Sequence, residues 1–488
     1  MQMLCADIGT TLAKVQVFNE TGDILFYEAR PTPLCRRDGE MYADIDCIRR
    51  TVRDLIRAAT AAVGPVASVA FSSFGEAFVL LDRADRVLSY PMLYTDTRGA
   101  DCAAELSAAV GDERYFAITG TMPHAMYSCP KAMWLKKHRP DLFAAADKLC
   151  LIGDYFGYLL SGRRTIDYAL AARTGAFDIR EKVFSADILR AAGLSPALFS
   201  EPRPAGTVVG PVLPDVAADL GLPGDCVLVL GSHDQVCATV GAGVLSDGEA
   251  ADGMGTVECI TAVFRDPDTP PAFGRMGYCT VPFPGGLYCT YILNYTSGSV
   301  VNWYRTELLH NYTGGAPDVF TYLARDEAPT DVLVLPYFAG CATPYQDGRA
   351  KGMILNLTTA TTDAQIFRAI LEGTSYEMKL NLEKTAAYGI RVRAVTATGG
   401  GANSALWLRI KSDVLGVPVR TLRSSEGGLA GLAMFSAAAL GLVPSLAAGR
   451  DRFVRYGETV TPSGRYDDVY RQKYEQYKKL YFLGKEVN

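Results

Sequence analysis

The chain has 488 residues, of which 49% are hydrophobic and 21% charged, and its formal net charge is −5. This length favours two domains of about 240 residues each, and the composition is typical of a globular protein. Both charge signs are interspersed, which argues against a nucleic-acid footprint or a basic membrane patch. The 12 cysteines include no C-x-x-C pair, so reduced, mostly buried thiols are expected.

The first half of the chain predicts a β-meander followed by further strands and helices. Strands are expected at 3–8, 13–18, 24–30, 66–72, 78–81 and 227–230, with a helix at 46–63 and a mainly helical stretch at 100–200. The first strand begins at once, with no charged and then apolar leader before it. We therefore expect no signal peptide and a cytoplasmic protein.

The second half repeats this plan. It is strand-rich from 250 to 295 and continues with a helix at 299–310, a strand at 331–336, an irregular segment at 337–352, a helix at 362–388, a strand at 395–398 and a helix ending at 415. This alternation predicts an α/β fold with two domains, 1–245 and 246–488. The most apolar stretch, 428–449, is broken by Pro444 and is interpreted as a buried helix, not as a membrane span.

A Gly-Thr turn occurs near the start of each half, and Thr256 stands 246 residues after Thr10, which predicts a duplication. In the first turn, Asp7 precedes Thr10 and Thr11, and Lys14 follows them. Two facing turns can hold a polyphosphate through backbone N–H groups and hydroxyls. Asp7 can hold Mg²⁺ while Lys14 meets a phosphate. The alternative is a surface hairpin whose polar side chains satisfy their own turn.

Three glycines, 399–401, lie between a predicted strand and a predicted helix. Such a turn lets the backbone approach a ligand closely, and Asn403 could cap the helix or contact a base. The pattern is neither G-x-G-x-x-G nor a P-loop. A tight strand-to-helix turn without any ligand is the alternative.

Asp234 is the sharpest candidate for chemistry. An apolar strand delivers it into the loop Gly231-Ser232-His233-Asp234-Gln235, where a carboxylate would be partly desolvated. That suits a general base that takes a proton from a hydroxyl during phosphoryl transfer. A helix N-cap is the alternative role. His233 has no second histidine or cysteine at metal-ligand spacing, so packing or hydrogen bonding is expected of it.

A polar cluster in the first half includes Glu76, Asp96 and Arg98. Carboxylates and an arginine on loops after buried strands suit a ligand with many hydroxyls. For Asp96 and Arg98, a routine surface ion pair stays open.

Taken in order, these motifs resemble the FGGY family of carbohydrate kinases over roughly residues 3 to 445. The matching segments are DIGTTLAK (7–14), DYFGYLLSG (154–162), AARTGAFDI (171–179), GSHDQ (231–235), GMGTVE (253–258), PYFAGCATPYQD (336–347), ATGGGANSALWLRIKSDVLGVPV (397–419) and EGGLAGLAMFSAAALG (426–441). The resemblance implies two actin-like (ribonuclease-H-like) ATPase domains around a cleft. ATP is then held mainly by the second domain and sugar mainly by the first.

The resemblance also implies roles for individual residues. Asp234 is the implied base, and Asp7 and Asp234 are the implied magnesium ligands. The implied ATP contacts are Thr10, Thr11, Lys14, Gly255, Thr256, Gly298, Asn302, Gly400, Gly401 and Asn403. The implied sugar contacts are Glu76, Asp96, Arg98, Asp234 and Gln235.

Departures from the family pattern concern the substrate. Gly75-Glu76 stands where glycerol kinases carry Arg-Glu and xylulokinases carry Met-His, which argues against glycerol. The run SSFGEAFVLLD (72–82) is most similar to L-fuculokinase and L-rhamnulokinase. Cys341-Ala342 replaces a Glu-Arg pair that is usual in the family, which leaves the function of that pair open.

The expected function is ATP- and Mg²⁺-dependent phosphorylation of a hydroxyl on a ketose or polyol, such as a deoxy-ketohexose or ketopentose, in sugar catabolism. Two alternatives are an inactive sugar-sensing protein of the same fold and an actin-like ATPase that acts on a protein partner. A small sugar is the expected partner, nucleic acid and membrane are not, and assembly into a homodimer is left open.

Overall fold

The computed structural model describes residues 1–37, 39–309, 323–324, 328–423 and 426–487. Strands of the first half are β1 (Gln2–Ile8), β2 (Leu12–Asn19), β3 (Ile24–Pro31), β4 (Leu34–Arg37), β5 (Glu40–Ala43), β6 (Ser68–Ser73), β7 (Phe78–Leu81), β8 (Val87–Ser89), β9 (Lys148–Leu151), β10 (Thr165–Asp167), β11 (Phe177–Asp178), β12 (Val183–Phe184), β13 (Glu201–Arg203), β14 (Val208–Pro211) and β15 (Val227–Val229). Strands of the second half are β16 (Glu249–Met254), β17 (Glu258–Phe264), β18 (Val281–Phe283), β19 (Leu287–Asn294), β20 (Leu333–Leu335), β21 (Met353–Leu355), β22 (Ala394–Thr398), β23 (Val419–Leu422) and β24 (Tyr456–Val460).

The α-helices of the described residues are numbered in the same way. They are α1 (Ile45–Val63), α2 (Ala100–Val110), α3 (Asp112–Thr119), α4 (Ser128–His138), α5 (Pro140–Ala144), α6 (Ile152–Ser161), α7 (Tyr168–Ala172), α8 (Ala186–Ala192), α9 (Pro214–Leu220), α10 (Asp234–Gly241), α11 (Pro271–Arg275), α12 (Gly298–Trp303), α13 (Asp363–Ala386), α14 (Ala405–Leu415), α15 (Gly427–Ala439), α16 (Leu446–Phe453) and α17 (Asp467–Val487).

The first half is built on a six-stranded sheet with the order β14-β15-β6-β1-β2-β3. Strands β1, β2 and β3 form the predicted antiparallel meander, and β1, β6 and β15 run parallel. Strand β6 is buried at every position, as expected of a parallel strand whose sheet is covered on both faces. Helix α1 packs on β2 and β3 through the apolar stripe that the sequence predicts, including Ile48, Val52 and Leu55.

The second half is built on a seven-stranded sheet with the order β18-β19-β17-β16-β22-β23-β24. Here β16, β17 and β19 form an antiparallel meander, and β16, β22 and β23 run parallel. The arrangement β3-β2-β1-β6-β15 of the first sheet therefore recurs as β19-β17-β16-β22-β23. The two halves share one topology, as the predicted duplication requires.

Helices α10 and α15 cross in close backbone contact between the two halves. A Cβ atom at Gly241 would lie 1.7 Å from the carbonyl oxygen of Gly427, and one at Gly431 would lie 2.1 Å from that of Cys237. Helix α15 also packs against β1, β6 and β15, although it follows the second sheet in the chain. Glycine at these positions is what allows the two helices to approach.

Some predicted elements differ in the structure. The single apolar helix expected at 428–449 is divided into α15 and α16 by a left-handed turn at Gly441, ahead of Pro444. The helix expected at 299–310 is an α-helix, α12, as far as Trp303 and a π-helical turn over Tyr304–Leu308. Residue 310 lies outside the described residues. Within the described part of the chain, no helix combines the length and apolar character needed to cross a membrane.

The α10–α15 contact is tested by Gly241→Ala. We expect the free energy of unfolding to fall by about 2–3 kcal/mol, because the methyl group overlaps the Gly427 carbonyl and forces the helices apart. Urea denaturation measures the change. Gly224→Ala is the control, since a Cβ atom there meets nothing within 4 Å. Equal stability of both variants would contradict a tight crossing.

Candidate active site

Asp234 lies just after strand β15 of the first sheet, at the start of helix α10. The apolar strand β15 leads into the loop 230–233, and Asp234 is the first residue of α10, so it is not the N-cap, which is His233. Its Oδ1 accepts a hydrogen bond from its neighbour Gln235 N at 2.6 Å, and its side chain remains 31% exposed. The carboxylate is thus held by the backbone yet open to a ligand.

Carboxylates surround Asp234. The pKa of Asp234 is raised to about 8, first by burial and then by the nearby charges of Asp7 and Glu76, while the hydrogen bond from Gln235 N and the charge of Arg173 oppose the rise. Burial also raises the pKa of Asp7, although Ser72 donates a hydrogen bond to its Oδ1 at 2.5 Å. These hard oxygen atoms are the ligands that Mg²⁺ prefers.

The predicted phosphate lysine is engaged elsewhere in this structure. Lys14 pairs with Asp7 in the β1–β2 register, but its Nζ contacts Glu426 Oε2 at 2.7 Å, just ahead of α15. Tyr27 donates to the other oxygen of Glu426 at 3.3 Å. Lys14 therefore joins the first hairpin to the helix crossing, and its contact with phosphate stays a prediction. Thr10 and Thr11 lie in the β1–β2 turn, at least partly accessible.

Glu76 is part of a buried ion pair that the sequence analysis missed. Its Oε1 accepts from Arg173 Nε at 2.6 Å, and both side chains are less than 10% exposed. Arg173 lies between the rings of Tyr127 and Tyr291, at 5.2 and 5.6 Å from their centroids. The motif that contains Arg173 was recognised, but nothing local indicates its partner.

His233 links the first half to the second. Its Nε2 lies 3.2 Å from Asp234 Oδ1, and its Nδ1 lies 3.0 Å from the hydroxyl of Tyr291, which belongs to β19. Burial lowers the pKa of His233, with Arg173 adding to the effect, so the ring is neutral. The predicted packing and hydrogen-bonding role matches this geometry.

Asp96 and Arg98 form an ion pair with each other. Arg98 Nη2 contacts Asp96 Oδ2 at 2.5 Å, and Arg98 Nη1 donates to the Tyr42 hydroxyl at 2.7 Å. The guanidinium also lies 4.9 Å from the Trp134 ring centroid. The sequence left a surface ion pair open as an alternative, and the structure has the pair largely buried, with 17% of the Arg98 side chain and 6% of the Asp96 side chain exposed. A direct contact of either residue with sugar stays a prediction.

A cavity of about 960 Å³ opens in the second half. Its lining includes all seven residues of this half for which the family resemblance implies ATP contacts: Gly255, Thr256, Gly298, Asn302, Gly400, Gly401 and Asn403. Apolar side chains, including Phe367, Leu371 and Trp407, form most of the rest of the wall, together with Arg305 and Ser404. This combination of a large apolar surface with few polar groups is typical of a ligand pocket.

The turn beside this cavity is fixed by backbone hydrogen bonds. Ser297 N and Ser299 N donate to the Thr256 carbonyl, and Gly298 N donates to that of Gly255 at 2.9 Å. A Cβ atom at Gly298 would lie 2.5 Å from Gly255 O, so this position requires glycine. The turn and the start of α12 thus form one unit at the cavity wall.

A fully buried ion cluster lies under the same turn, and the sequence analysis did not identify it. Lys411 on α14 contacts Asp252 Oδ2 at 2.5 Å and also contacts Glu258, and none of the three side chains is exposed. Ser297 donates to Glu258 Oε2 at 2.5 Å. Charge attraction raises the pKa of Lys411 despite its burial. The cluster joins β16, β17, α12 and α14 around the cavity.

The ion cluster is tested by Lys411→Met. We expect a loss of about 3–5 kcal/mol in the free energy of unfolding, because two carboxylates are left buried without a cation. Chemical denaturation measures it. Lys478→Met is the control, since that lysine pairs with Glu475 at the surface and its loss should change stability by less than about 1 kcal/mol. A Lys411 variant as stable as the control would show that the cluster contributes little.

Comparisons with known proteins agree with the fold. Curated relatives include the xylulose kinase of Bacillus subtilis (25% identical, covering 99% of this chain and 97% of the relative) and the gluconokinase of the same organism (27% identical, 92% and 90%). A solved structure of xylulose kinase from Rhodospirillum rubrum superposes with a TM-score of 0.90 at 26% identity and covers 99% of both chains. The fold therefore consists of two actin-like, ribonuclease-H-like domains.

Sequence models of the two domains of one family account for most of the chain. The N-terminal domain of the FGGY family of carbohydrate kinases matches residues 2–241, and its C-terminal domain matches residues 254–440. Both the fold and the family expected from the motifs are confirmed. The chain belongs to the FGGY family of carbohydrate kinases.

Proposed function

We propose that this carbohydrate kinase transfers the γ-phosphoryl group of ATP to a hydroxyl of a neutral ketose or polyol, with Asp234 as the general base. The observation that carries the proposal is the position of Asp234. It is a partly exposed carboxylate of the first half, 3.2 Å from His233 Nε2, and the other ring nitrogen of His233 lies 3.0 Å from the hydroxyl of Tyr291 in the second half. Tyr291 lies on β19, which pairs with β17, and the turn between β17 and β16 lines the large cavity.

The residues of this site have separate tasks in the reaction. Asp234 accepts the proton of the attacking hydroxyl, and its raised pKa makes it a stronger base than an ordinary carboxylate. The buried Arg173–Glu76 pair and the Tyr127 ring hold the sugar end of the cleft rigid. Positioning of this kind supplies much of the rate enhancement in phosphoryl transfer.

Mg²⁺ and ATP fit the residues present. Asp7 is close enough to Asp234 for its charge to raise the pKa of Asp234. A divalent cation between them would offset the repulsion of the two carboxylates. Magnesium-bound ATP would supply the phosphoryl group and neutralise its developing charge. Gly255, Thr256, Gly400 and Gly401 offer backbone groups beside the large cavity for the nucleotide. We assign sugar binding to residues 1–245 and nucleotide binding to residues 246–488.

The charge around Asp234 supports a neutral substrate. Three carboxylates act there, those of Asp7, Glu76 and Asp234, while the nearby Arg173 is already paired with Glu76. Hydroxyl groups can donate to or accept from these carboxyl groups, whereas an acidic group would find the nearby cation Arg173 already paired with Glu76. The resemblance to L-fuculokinase and the xylulose kinase relatives together favour a deoxy-ketohexose or ketopentose.

A coupled assay of ADP release tests the function. The purified protein is mixed with MgATP and a panel of ketoses, polyols and sugar acids. We expect ADP release that depends on a neutral sugar, together with a sugar phosphate in equal amount. Sugar-independent ADP release would instead support an ATPase with a protein partner. Sugar binding by calorimetry without turnover would support a sensor.

The role of Asp234 is tested by Asp234→Asn. We expect kcat to fall by about 10²–10⁴-fold with ATP binding retained, because the amide cannot accept the hydroxyl proton. Asp225→Asn is the control, since it makes the same change at an exposed position ahead of β15. Turnover of the Asp234 variant close to that of the control would remove Asp234 from the mechanism.

A further inference from the structure

The short helix α7 depends on one carboxylate. Asp167, the last residue of β10, is its N-cap: Oδ2 accepts from Ala169 N at 2.9 Å and Oδ1 accepts from Leu170 N at 3.2 Å. The helix is five residues long, and its C-cap is Arg173, whose N–H donates to Leu170 O at 3.0 Å. So short a helix has little stability of its own. Its cap therefore determines where Arg173 lies.

The same carboxylate holds the loop that carries Asp234. Ser232 Oγ donates to Asp167 Oδ2 at 2.6 Å, and both residues are only 3% exposed. Ser232 stands two residues before Asp234 in the chain. Asp167 thus contacts two segments: the start of α7, which leads to Arg173, and the loop that leads to Asp234.

We propose that Asp167 is a positioning residue, which sets the base Asp234 and the Arg173–Glu76 pair in register through Ser232 and the cap of α7. This inference rests on the proposed function. Asp167 is buried behind both segments, so it acts through them and does not touch the sugar.

Asparagine cannot replace this carboxylate without loss. The two oxygens of Asp167 accept from Ala169 N, Leu170 N and Ser232 Oγ. An amide has a single oxygen, so in either orientation its NH₂ group faces a backbone N–H that needs an acceptor. The cap and the loop then cannot keep all three of their hydrogen bonds to residue 167. A shift of about 1 Å at a reacting group can reduce turnover about 10²-fold.

Asp154 offers a matched control. It is also buried, and it lines the same cavity of about 20 Å³ as Asp167 and Ser232. However, its Oδ2 accepts from Ser200 Oγ at 2.6 Å, and its Oδ1 has no hydrogen-bond partner among the described residues. Asp154→Asn therefore makes the same chemical change in the same surroundings, without removing a hydrogen bond to α7 or to the loop of Asp234.

The experiment compares Asp167→Asn, Ser232→Ala and Asp154→Asn in the full-length protein. It measures kcat, the KM of sugar and of ATP, and the unfolding temperature. We expect Asp167→Asn to lower kcat at least tenfold, with the KM of ATP unchanged within about twofold, because the nucleotide cavity lies in the other half. Asp154→Asn should retain kcat within about twofold.

A smaller loss of kcat in Asp167→Asn, or an equal loss in Asp154→Asn, would overturn the proposal. If Asp167→Asn does not fold, Ser232→Ala decides. If kcat of Ser232→Ala falls at least threefold while its unfolding temperature equals that of the wild type, the positioning role is supported. Any smaller loss of kcat overturns it. A wild-type protein without sugar-dependent ADP release would refute the proposed function itself, which is a separate outcome.

Discussion

The close crossing of α10 and α15 is the constraint on which the rest of the structure depends. Their backbones touch at glycines, with Gly241 against Gly427 and Gly431 against Cys237. Asp234 begins one of these helices, and Glu426, the partner of Lys14, precedes the other. A side chain at the crossing would move Asp234, the first hairpin and the second half together. The position of Asp234 is therefore fixed by a contact in which its own side chain takes no part.

The two halves share a topology but use the corresponding hairpin for different purposes. In the first, Asp7 at the end of β1 lies within electrostatic reach of Asp234 at the cleft. In the second, Asp252 on β16 is completely buried against Lys411. A duplicated fold thus places one acidic residue near Asp234 and uses the other to hold the wall of the large cavity. The two acidic residues differ because Asp252 has the buried cation Lys411 as its partner, whereas Asp7 accepts a hydrogen bond from Ser72.

Sequence reasoning identified the family, the α/β fold and the meander of each half, because these depend on local patterns. It also selected seven residues that line one cavity, from Gly255 to Asn403. It missed contacts between distant parts of the chain. Arg173 pairs with Glu76 across 97 positions, and Lys411 reaches Glu258 across 153. Nothing in the neighbourhood of either cation indicates its partner. The roles assigned to the site residues, including Asp7, Asp234, Thr10, Lys14 and Arg98, remain predictions.

The course of α15 has a consequence for biosynthesis. This helix covers the face of the first sheet that includes Met3 and Cys5, although it is encoded at Gly427–Ala439. While a ribosome makes the chain, that apolar face lacks the cover of α15 until nearly all the residues have emerged. The first half therefore reaches its final packing only after the C-terminal part of the chain has been made. A chaperone that shields the exposed strands until then would lower the risk of aggregation.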